Sequence, residues 1–251
     1  YSSLSTESTL DTGLLGLWHL DETSSGTVAS GTKDIEDSSG NSNHCTETGV
    51  GLTYGVSANL SGGITFDDTN KFTCTDDPLD ITGDFTVSFW TKGGDLAAQE
   101  NLLGSLGATD GWYFQRNTPG GDIQMTVVAG STSYYSGVST SSVVDENWHM
   151  VTGVREGDDL RLYVNGVEEA TNLSASSADL SNSVAFSIGD SGGVFTKAPL
   201  DEVALSSRAF SDTEIEQLYR RGSNRVKIQV RSCDDTSCSG ESFVGPDGSG
   251  K

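Results

Sequence analysis

Short strand-like runs of apolar residues, each closed by a turn signal, recur along most of this chain and constrain it to an all-β fold. The run "DFTVSFWTK" (84–92) alternates apolar and polar positions, as expected for a strand that has one buried face. The run "DLRLYVNG" (159–166) closes at Asn165-Gly166, the residue pair that favours a type I′ hairpin turn. Repetition of such runs roughly every 8–12 residues is typical of a two-sheet antiparallel β-sandwich, here predicted to be a jelly roll.

One segment near the C-terminal end has the pattern of a short helix. The sequence "SDTEIEQLYRRG" begins with Ser211 and has Glu214 three residues later, which is the spacing of a capping box. Acidic residues come early and Arg220 and Arg221 come late, in agreement with the helix dipole. We expect the helix to end at Gly222.

The composition changes at both ends of this pattern and suggests three regions. Residues 1–12 are polar and are interpreted as an N-terminal lead-in. Residues 13–222 hold the strand runs and the helix, and are predicted to form one jelly-roll domain. Residues 223–251 begin like a strand and end in Gly, Pro, Asp and Ser, which indicates a linker or the start of a further β module.

The charge of the chain excludes some partners and favours others. There are 14 Lys and Arg against 36 Asp and Glu, for a net charge of −22. Such a surface repels nucleic acid and anionic membranes. It attracts Ca²⁺, which prefers carboxylate and carbonyl oxygens, although acidity also simply keeps an extracellular protein soluble. No apolar run approaches the ~20 residues of a membrane span, so direct membrane insertion is not expected.

The four cysteines favour an oxidising compartment. Their even number in a turn-rich acidic chain favours disulfides. Cys233 and Cys238 are close enough in sequence for a local hairpin bridge, which leaves Cys45 and Cys74 for a longer one. Free buried thiols are the alternative.

The order of several motifs resembles the concanavalin A-like, laminin G-like jelly-roll domains of bacterial surface and secreted proteins. The resemblance runs from about residue 13 to residue 221 and is carried by "GLLGLWHLDE", "DSSGNSNHC", "ITFDD", "LDITGDFTVSFWTK", "NWHMVTGVREGDDLRLYVNGVE", "IGD" and "PLDEVALSSRAFSDTEIEQLY". It implies two curved antiparallel sheets, an extracellular or cell-surface location, and a module that binds glycans or proteins. Many members bind Ca²⁺. Cys45 and Cys74 depart from the usual pattern, as a disulfide between their two strands would require.

The resemblance and the acidic pairs together predict a structural calcium site. Ca²⁺ takes six to eight oxygen ligands, so the polar turn "DSSGNSNH" needs distant partners. Jelly rolls commonly place the first and last strands side by side, which would bring the "LWHLDE" and "LDEV" motifs to this turn. The predicted ligands are Asp21, Glu22, Asp37, Asn41, Asn43 and Asp201. The alternatives are an Asx-type turn at 37–44 and pairing of Asp201 with Arg208 or with backbone N–H groups.

No enzyme signature is present. Concanavalin A-like glucanases carry E-x-D-x-x-E, and the nearest match here begins at Glu156 and Asp158 but has Arg161 in the last position. His19 and His149 each follow a tryptophan in a strand and are interpreted as structural. His44 and Cys45 are neighbours on a strand and point to opposite faces, so they cannot form a nucleophile pair.

The remaining candidate chemistry is glycan binding. Trp112, Tyr134 and Tyr135 lie in glycine-bordered stretches and are predicted ligand-binding residues, although rings that cap the core edges are the alternative for each. Trp18, Trp90 and Trp148 lie within apolar strands and are expected in the core. We therefore expect a non-catalytic binding or adhesion module, whose partners are a glycan or surface protein and the other domains of a larger protein. The alternatives are an architectural component that self-associates and, less favoured, a polysaccharide-cleaving enzyme.

Overall fold

The computed structural model describes residues 10–25, 34–49, 51–58, 62–74, 81–93 and 98–223. These residues form two large antiparallel sheets packed face to face, a two-stranded ribbon and one helix, α1 (Asp212–Ser223). The predicted β-sandwich with a single short helix is confirmed. The predicted segments 1–12 and 223–251 lie almost wholly outside the described residues, so these two boundaries stay predictions.

The first sheet has eight strands. They are β1 (Leu14–Trp18), β3 (Thr53–Ser57), β4 (Gly62–Thr65), β6 (Phe85–Thr91), β11 (His149–Glu156), β12 (Asp159–Val164), β13 (Val167–Asn172) and β17 (Pro199–Ser206). The order is β13-β12-β11-β6-β17-β4-β3, and β1 also pairs with β17. The first and last strands are thus neighbours, as predicted, with Trp18 opposite Val203.

The second sheet has seven strands, and a small ribbon lies beside it. The strands are β2 (Thr46–Thr48), β5 (Lys71–Thr73), β7 (Glu100–Leu106), β8 (Gly111–Arg116), β9 (Asp122–Ala129), β10 (Thr132–Ser142) and β14 (Ser187–Ile188). Their order is β10-β9-β8-β7-β14-β5-β2, and β15 (Asp190–Ser191) pairs with β16 (Val194–Phe195) in the ribbon.

The alternation in β6 divides the first sheet into two faces. Phe85, Val87 and Phe89 are fully buried in the main core between the sheets. Trp90 lies on the opposite face, which we call the outer face because α1 covers it rather than the second sheet. A smaller apolar cluster fills the space beneath α1 and contains Leu10, Trp90, Met150, Val154, Tyr163, Phe210 and Ile215.

The helix begins as predicted but extends through its predicted stop. The main-chain N–H of Ser211 donates to Glu214 Oε2 at 2.9 Å, and Glu214 N–H donates back to Ser211 Oγ at 3.4 Å, completing the capping box. The prediction that Gly222 ends the helix is wrong, because Gly222 lies inside it. A Cβ there would come within 2.6 Å of the Trp90 ring, so glycine is required for close approach. No helix in the described part of the chain is long and apolar enough to cross a membrane.

A disulfide joins Cys45 to Cys74, as predicted, with a Cα–Cα distance of 4.1 Å. The two cysteines adjoin paired strands, since Thr46 of β2 lies opposite Thr73 of β5. Both are buried in the main core. The predicted bridge between Cys233 and Cys238 lies outside the described residues.

In the described part of the chain, two arginines are almost fully buried, and both donate to main-chain carbonyls. Arg116 of β8 pairs with its cross-strand partner Glu100 of β7 and donates to the carbonyl of Gly93 at 3.0 Å. Thr196 Oγ1 donates to the same carboxylate at 2.8 Å. Arg155 of β11 donates to several main-chain carbonyl oxygens, including that of Ser176 at 2.8 Å. Burial lowers the pKa of Arg155, and nearby carboxylates oppose this shift.

Candidate functional site

The polar turn "DSSGNSNH" is organised around the Asp37 carboxylate. Its Oδ1 accepts hydrogen bonds from the N–H groups of Leu17 and Ser39, each at 2.9 Å. Its Oδ2 accepts from Ser39 Oγ at 2.9 Å and from Asn43 N–H at 2.8 Å. The bond from Ser39 N–H, two residues on, makes this an Asx-type turn. Asp37 is buried, and all four donors belong to the protein.

The same turn covers the outer edge of β1. Leu17 N–H bonds to Asp37, and Leu17 C=O accepts from Ser38 N–H at 2.7 Å. Both groups of one residue point to the same side of an antiparallel strand, so the turn lies on the edge of β1 away from β17. The side-chain amides of Asn41 and Asn43 donate to main-chain carbonyls at the start of β1. The turn thereby satisfies an edge that would otherwise be open to pairing.

The predicted acidic ligands near β17 gather around a histidine instead of around the turn. His19 Nδ1 lies 2.8 Å from Glu202 Oε2. The hydrogen bond with Glu202 raises the pKa of His19 most; burial opposes this effect, and the charges of Glu202, Asp21 and Asp201 add to it. Asp201 is fully buried. Arg208 forms an ion pair with Glu214 at 2.7 Å, and the alternative pair between Asp201 and Arg208 stays a prediction.

Glu22, another predicted calcium ligand, binds neither the Asp37 turn nor His19. Its Oε1 accepts from Glu36 N–H at 2.7 Å, and burial raises its pKa. Within the described ranges, no group of three or more His, Cys, Asp or Glu side chains is arranged to hold a metal ion. The charges of Asp21 and Asp201 both act on His19, whereas Asp37, Asn41 and Asn43 bind the edge of β1. The calcium site stays a prediction.

Replacing Asp37 with alanine should lower the free energy of unfolding at pH 7 by about 2 to 3 kcal/mol, because buried N–H donors lose a charged acceptor. Burial opposes ionisation of Asp37, but the hydrogen bonds from Leu17, Ser39 and Asn43 outweigh it and lower its pKa below the ordinary 3.8. A lowered folded pKa stabilises the protein at neutral pH, and this contribution is lost as pH falls through that pKa. Urea unfolding of both proteins should show the difference shrinking below pH 3.8.

The exposed Asp158, at the turn between β11 and β12, offers a matched control for this measurement. Asp158→Ala should change the free energy of unfolding by less than about 0.5 kcal/mol, as is usual for surface substitutions. A loss in Asp37→Ala that stayed constant between pH 7 and pH 2 would show that the carboxylate charge contributes nothing.

The aromatic residues predicted to bind a glycan are not equivalent. Trp112 is 1% exposed and packs against Phe85, Phe114 and Phe186, so its prediction as a binding platform is wrong. Its ring points inward because β8 is a central strand of the second sheet with Trp112 on the core face. Tyr134 is half-buried and packs on the main core.

Tyr135 is the predicted platform residue that remains accessible, at 48% exposure. Adjacent residues on β10 face opposite ways, which explains why one ring of the pair is exposed. Of the core predictions, Trp18 and Trp90 are confirmed as buried, while Trp148 is only partly buried beside the cluster under α1.

A second aromatic site lies in a groove between α1 and the β12–β13 hairpin. We call it the helix–hairpin groove; it is lined by Tyr163, Asn165, Gly166, Val167, Glu168, Asp212, Glu216, Tyr219 and Arg220. The Tyr219 ring stacks on Trp90 with centroids 5.9 Å apart and planes 26° apart. Tyr219 is also close to Gly166, where a Cβ would lie 3.1 Å from its own Cβ. The hairpin turn and the buried tryptophan thus fix the ring in place.

Carboxylates surround the phenol at the base of this groove. Tyr163 OH donates to Asp212 Oδ1 at 2.8 Å and lies 3.3 Å from Glu168 Oε2. Burial raises the pKa of Tyr163, and the hydrogen bond to Asp212 raises it further. Glu216 and Arg220 form an exposed ion pair at 2.6 Å on the rim. The groove therefore combines aromatic surface with several hydrogen-bond acceptors and with donor groups on Asn165, Tyr219 and Arg220.

Sequence reasoning missed this groove although signals for it existed. Tyr163 alternates with Leu162 and Val164, which places it on the face opposite the main core. Tyr219 belongs to the apolar stripe of α1. Finding the groove also requires knowing that α1 packs on that face of β12, and no local pattern gives this information.

Comparison with known proteins places these features in a family. The family model described as "Concanavalin A-like lectin/glucanases superfamily", of the laminin G type, matches residues 66–216. No curated protein sequence gives a significant match. Domain 4 of AbnA, a GH43 extracellular arabinanase from Geobacillus stearothermophilus solved with arabinotriose, is similar with a TM-score of 0.67 and 16% identity; the alignment covers 82% of this chain and 98% of that one.

Toxin binding domains have the same fold. The botulinum neurotoxin serotype D binding domain is similar with a TM-score of 0.64 and 13% identity, covering 96% of this chain and 63% of that one. The binding domain of Paraclostridial Mosquitocidal Protein 1 gives 0.63 and 18%, with coverage of 84% and 53%. This chain therefore spans less than two thirds of the toxin domains.

The family model covers more than half of the chain, from the end of β4 into α1. The two stacked sheets and the pairing of the first strand with the last have the architecture expected from the sequence resemblance. This chain thus belongs to the laminin G-like domains of the concanavalin A-like lectin/glucanase superfamily.

Proposed function

We propose that this domain is a non-catalytic glycan-binding module of an extracellular or cell-surface protein. The observation that carries the proposal is the helix–hairpin groove, where the fixed Tyr219 ring lies beside the carboxylates of Glu168, Asp212 and Glu216. Sugar rings offer an apolar face to an aromatic side chain and hydroxyl donors to ionised carboxylates. A groove with these groups suits an uncharged oligosaccharide.

Two further observations support the proposal. The similar arabinanase domain was solved with arabinotriose, and one similar botulinum neurotoxin type C structure concerns cell entry that depends on two ganglioside molecules. The Cys45–Cys74 disulfide is typical of proteins in oxidising compartments. Both observations are consistent with a protein that recognises carbohydrate outside the reducing cytosol.

A structural calcium ion is part of the proposal. The net charge of −22 favours cation binding, and Asp21 and Asp201 both lie close enough to His19 to raise its pKa. The Asp37 carboxylate already accepts four hydrogen bonds from the protein, which leaves it little capacity to bind a cation. Ca²⁺ needs six or more oxygens, so carbonyl oxygens or water would complete the shell. Its role would be to hold the β1–β17 junction.

A glycan array probed with the full chain, with Ca²⁺ and with EDTA, tests the proposal. We expect binding to a defined set of neutral oligosaccharides, weakened up to about tenfold by Tyr219→Ala because stacking on one ring is worth roughly 0.5 to 1.5 kcal/mol. EDTA should lower the melting temperature, and calorimetry should detect Ca²⁺ uptake. Glu168→Gln should weaken binding less, since its amide oxygen still accepts a hydrogen bond.

Tyr135→Ala tests the rival position, because it removes the accessible predicted platform residue on β10, outside the groove. It should leave glycan binding unchanged. Loss of binding in Tyr135→Ala but not in Tyr219→Ala would disprove the groove as the site. An array without any signal, together with stable oligomers or filaments in solution, would instead favour the architectural role. A melting temperature that EDTA leaves unchanged would contradict the calcium site but not the proposed glycan binding.

A further inference from the structure

A second cavity lies beneath α1, separate from the helix–hairpin groove. It has a volume of about 270 Å³ and lies between the outer face of the first sheet, β1 and the C-terminal half of α1. Trp90 lines this cavity, and its ring also stacks on Tyr219, which lines the helix–hairpin groove. We call this space the sub-helix cavity.

Small residues on the floor explain why this space is open. Ser88 of β6 lies directly opposite Ala204 of β17, and Thr86 lies opposite Ser206. These two cross-strand pairs occupy the outer face, where α1 would otherwise pack against larger side chains. Large apolar side chains make up most of the walls, with Leu17, Trp90, Met150, Phe210 and Leu218 among them. The charged residues Asp11, Glu202 and Arg221 also line the cavity. A largely apolar space of this size is uncommon in a close-packed protein.

One floor residue carries a polar group that the described structure does not satisfy. Ser206 is 2% exposed, and its hydroxyl has no hydrogen-bond partner among the described residues. Its neighbour Thr86 differs, because its hydroxyl donates to Arg208 C=O at 2.8 Å and accepts from Phe210 N–H at 2.9 Å. A buried hydroxyl without a partner is costly, so this group is suited to a hydrogen bond with a molecule in the cavity.

We propose that the sub-helix cavity binds a small uncharged molecule with an apolar body and one hydroxyl group, which pairs with Ser206 Oγ. A cavity of roughly 150 Å³ holds benzene in another protein, so this volume suits about ten non-hydrogen atoms. A hydroxyl both donates and accepts, as the serine hydroxyl does. The medium-chain alcohols represent this chemical class. The proposal is independent of glycan binding, because it uses a different space.

Binding of n-alkanols from butanol to dodecanol to the full chain tests the inference. Each added methylene should tighten binding about fourfold until the cavity is filled, and further carbons should add nothing. Alcohols ordinarily loosen tertiary packing, so a saturable rise in melting temperature on adding octanol would indicate a folded-state site. Because Trp90 lines the cavity, its fluorescence should change with the same saturation curve.

Two variants separate a binding site from a simple packing defect. Ala204→Leu fills the floor and should abolish octanol binding while the domain stays folded. Ser133→Leu, at an exposed position of β10, is the matched control and should bind octanol normally. If Ala204→Leu does not fold, Ser88→Val tests the same floor with a smaller change.

Ser206→Ala tests the hydrogen bond. It should weaken octanol binding about tenfold, while binding of toluene, which has no hydroxyl, should not weaken. Equal octanol binding by the wild type and Ala204→Leu would overturn the inference. Absence of any saturable effect across the alkanol series, in a chain that still binds glycans, would overturn it without affecting the proposed function.

Discussion

Arg116→Met should lower the free energy of unfolding by about 3 to 5 kcal/mol, because it leaves the buried Glu100 carboxylate without its cation. Arg116 has no exposed side-chain surface, and Glu100 is only 7% exposed. The two residues are direct cross-strand partners on β7 and β8. Methionine fills much of the same volume, so the loss reports the uncompensated charge rather than a cavity.

A double variant distinguishes the cost of an unpaired buried charge from the loss of the ion pair itself. Arg116→Met combined with Glu100→Gln removes both charges and should recover at least half of the loss, since a neutral amide is cheaper to bury than a carboxylate. Arg220→Met, which breaks the exposed pair with Glu216, should cost less than about 0.5 kcal/mol. Urea unfolding followed by tryptophan fluorescence measures all three. A double variant less stable than Arg116→Met alone would contradict the charge explanation.

The features predicted correctly from the sequence depend on neighbouring residues or on strand alternation. Asn165 and Gly166 both adopt positive φ, at 53° and 79°, as a type I′ turn requires. The capping box at Ser211 and Glu214 forms because its two hydrogen bonds span three residues. Alternation also assigned the faces of β6 correctly, since successive side chains on a strand point to opposite sides.

The features that sequence reasoning missed depend on contacts between distant segments. Glu100 and Arg116 look like ordinary surface charges in the sequence, and only the β7–β8 pairing buries them together. Trp112 looked accessible because glycine precedes it, but the central position of β8 turns its ring into the core. The cavity requires small residues on both β6 and β17 and a helix above them. Such coincidences have no local pattern.

The Cys45–Cys74 disulfide should contribute about 3 to 4 kcal/mol to the free energy of unfolding, because it closes a loop of 29 residues in the unfolded chain. The bridge also ties β2 and β5 together at one edge of the second sheet. Both cysteines are buried, so Cys45→Ala with Cys74→Ala adds a small packing loss to the entropic effect. Thermal and urea unfolding of the double variant measure the sum.

Cys233→Ala with Cys238→Ala is the matched control, since it removes the other two cysteines of the chain. A bridge between residues so close in sequence closes a very short loop and should contribute less to the unfolded-state entropy than the longer one. Reducing this control with dithiothreitol should lower its free energy of unfolding by about as much as Cys45→Ala with Cys74→Ala lowers that of the wild type. In this control, the Cys45–Cys74 bridge is the only disulfide left to reduce. If reduction leaves the stability of the control unchanged, the β2–β5 edge is held by its main-chain pairing and core packing rather than by the covalent link.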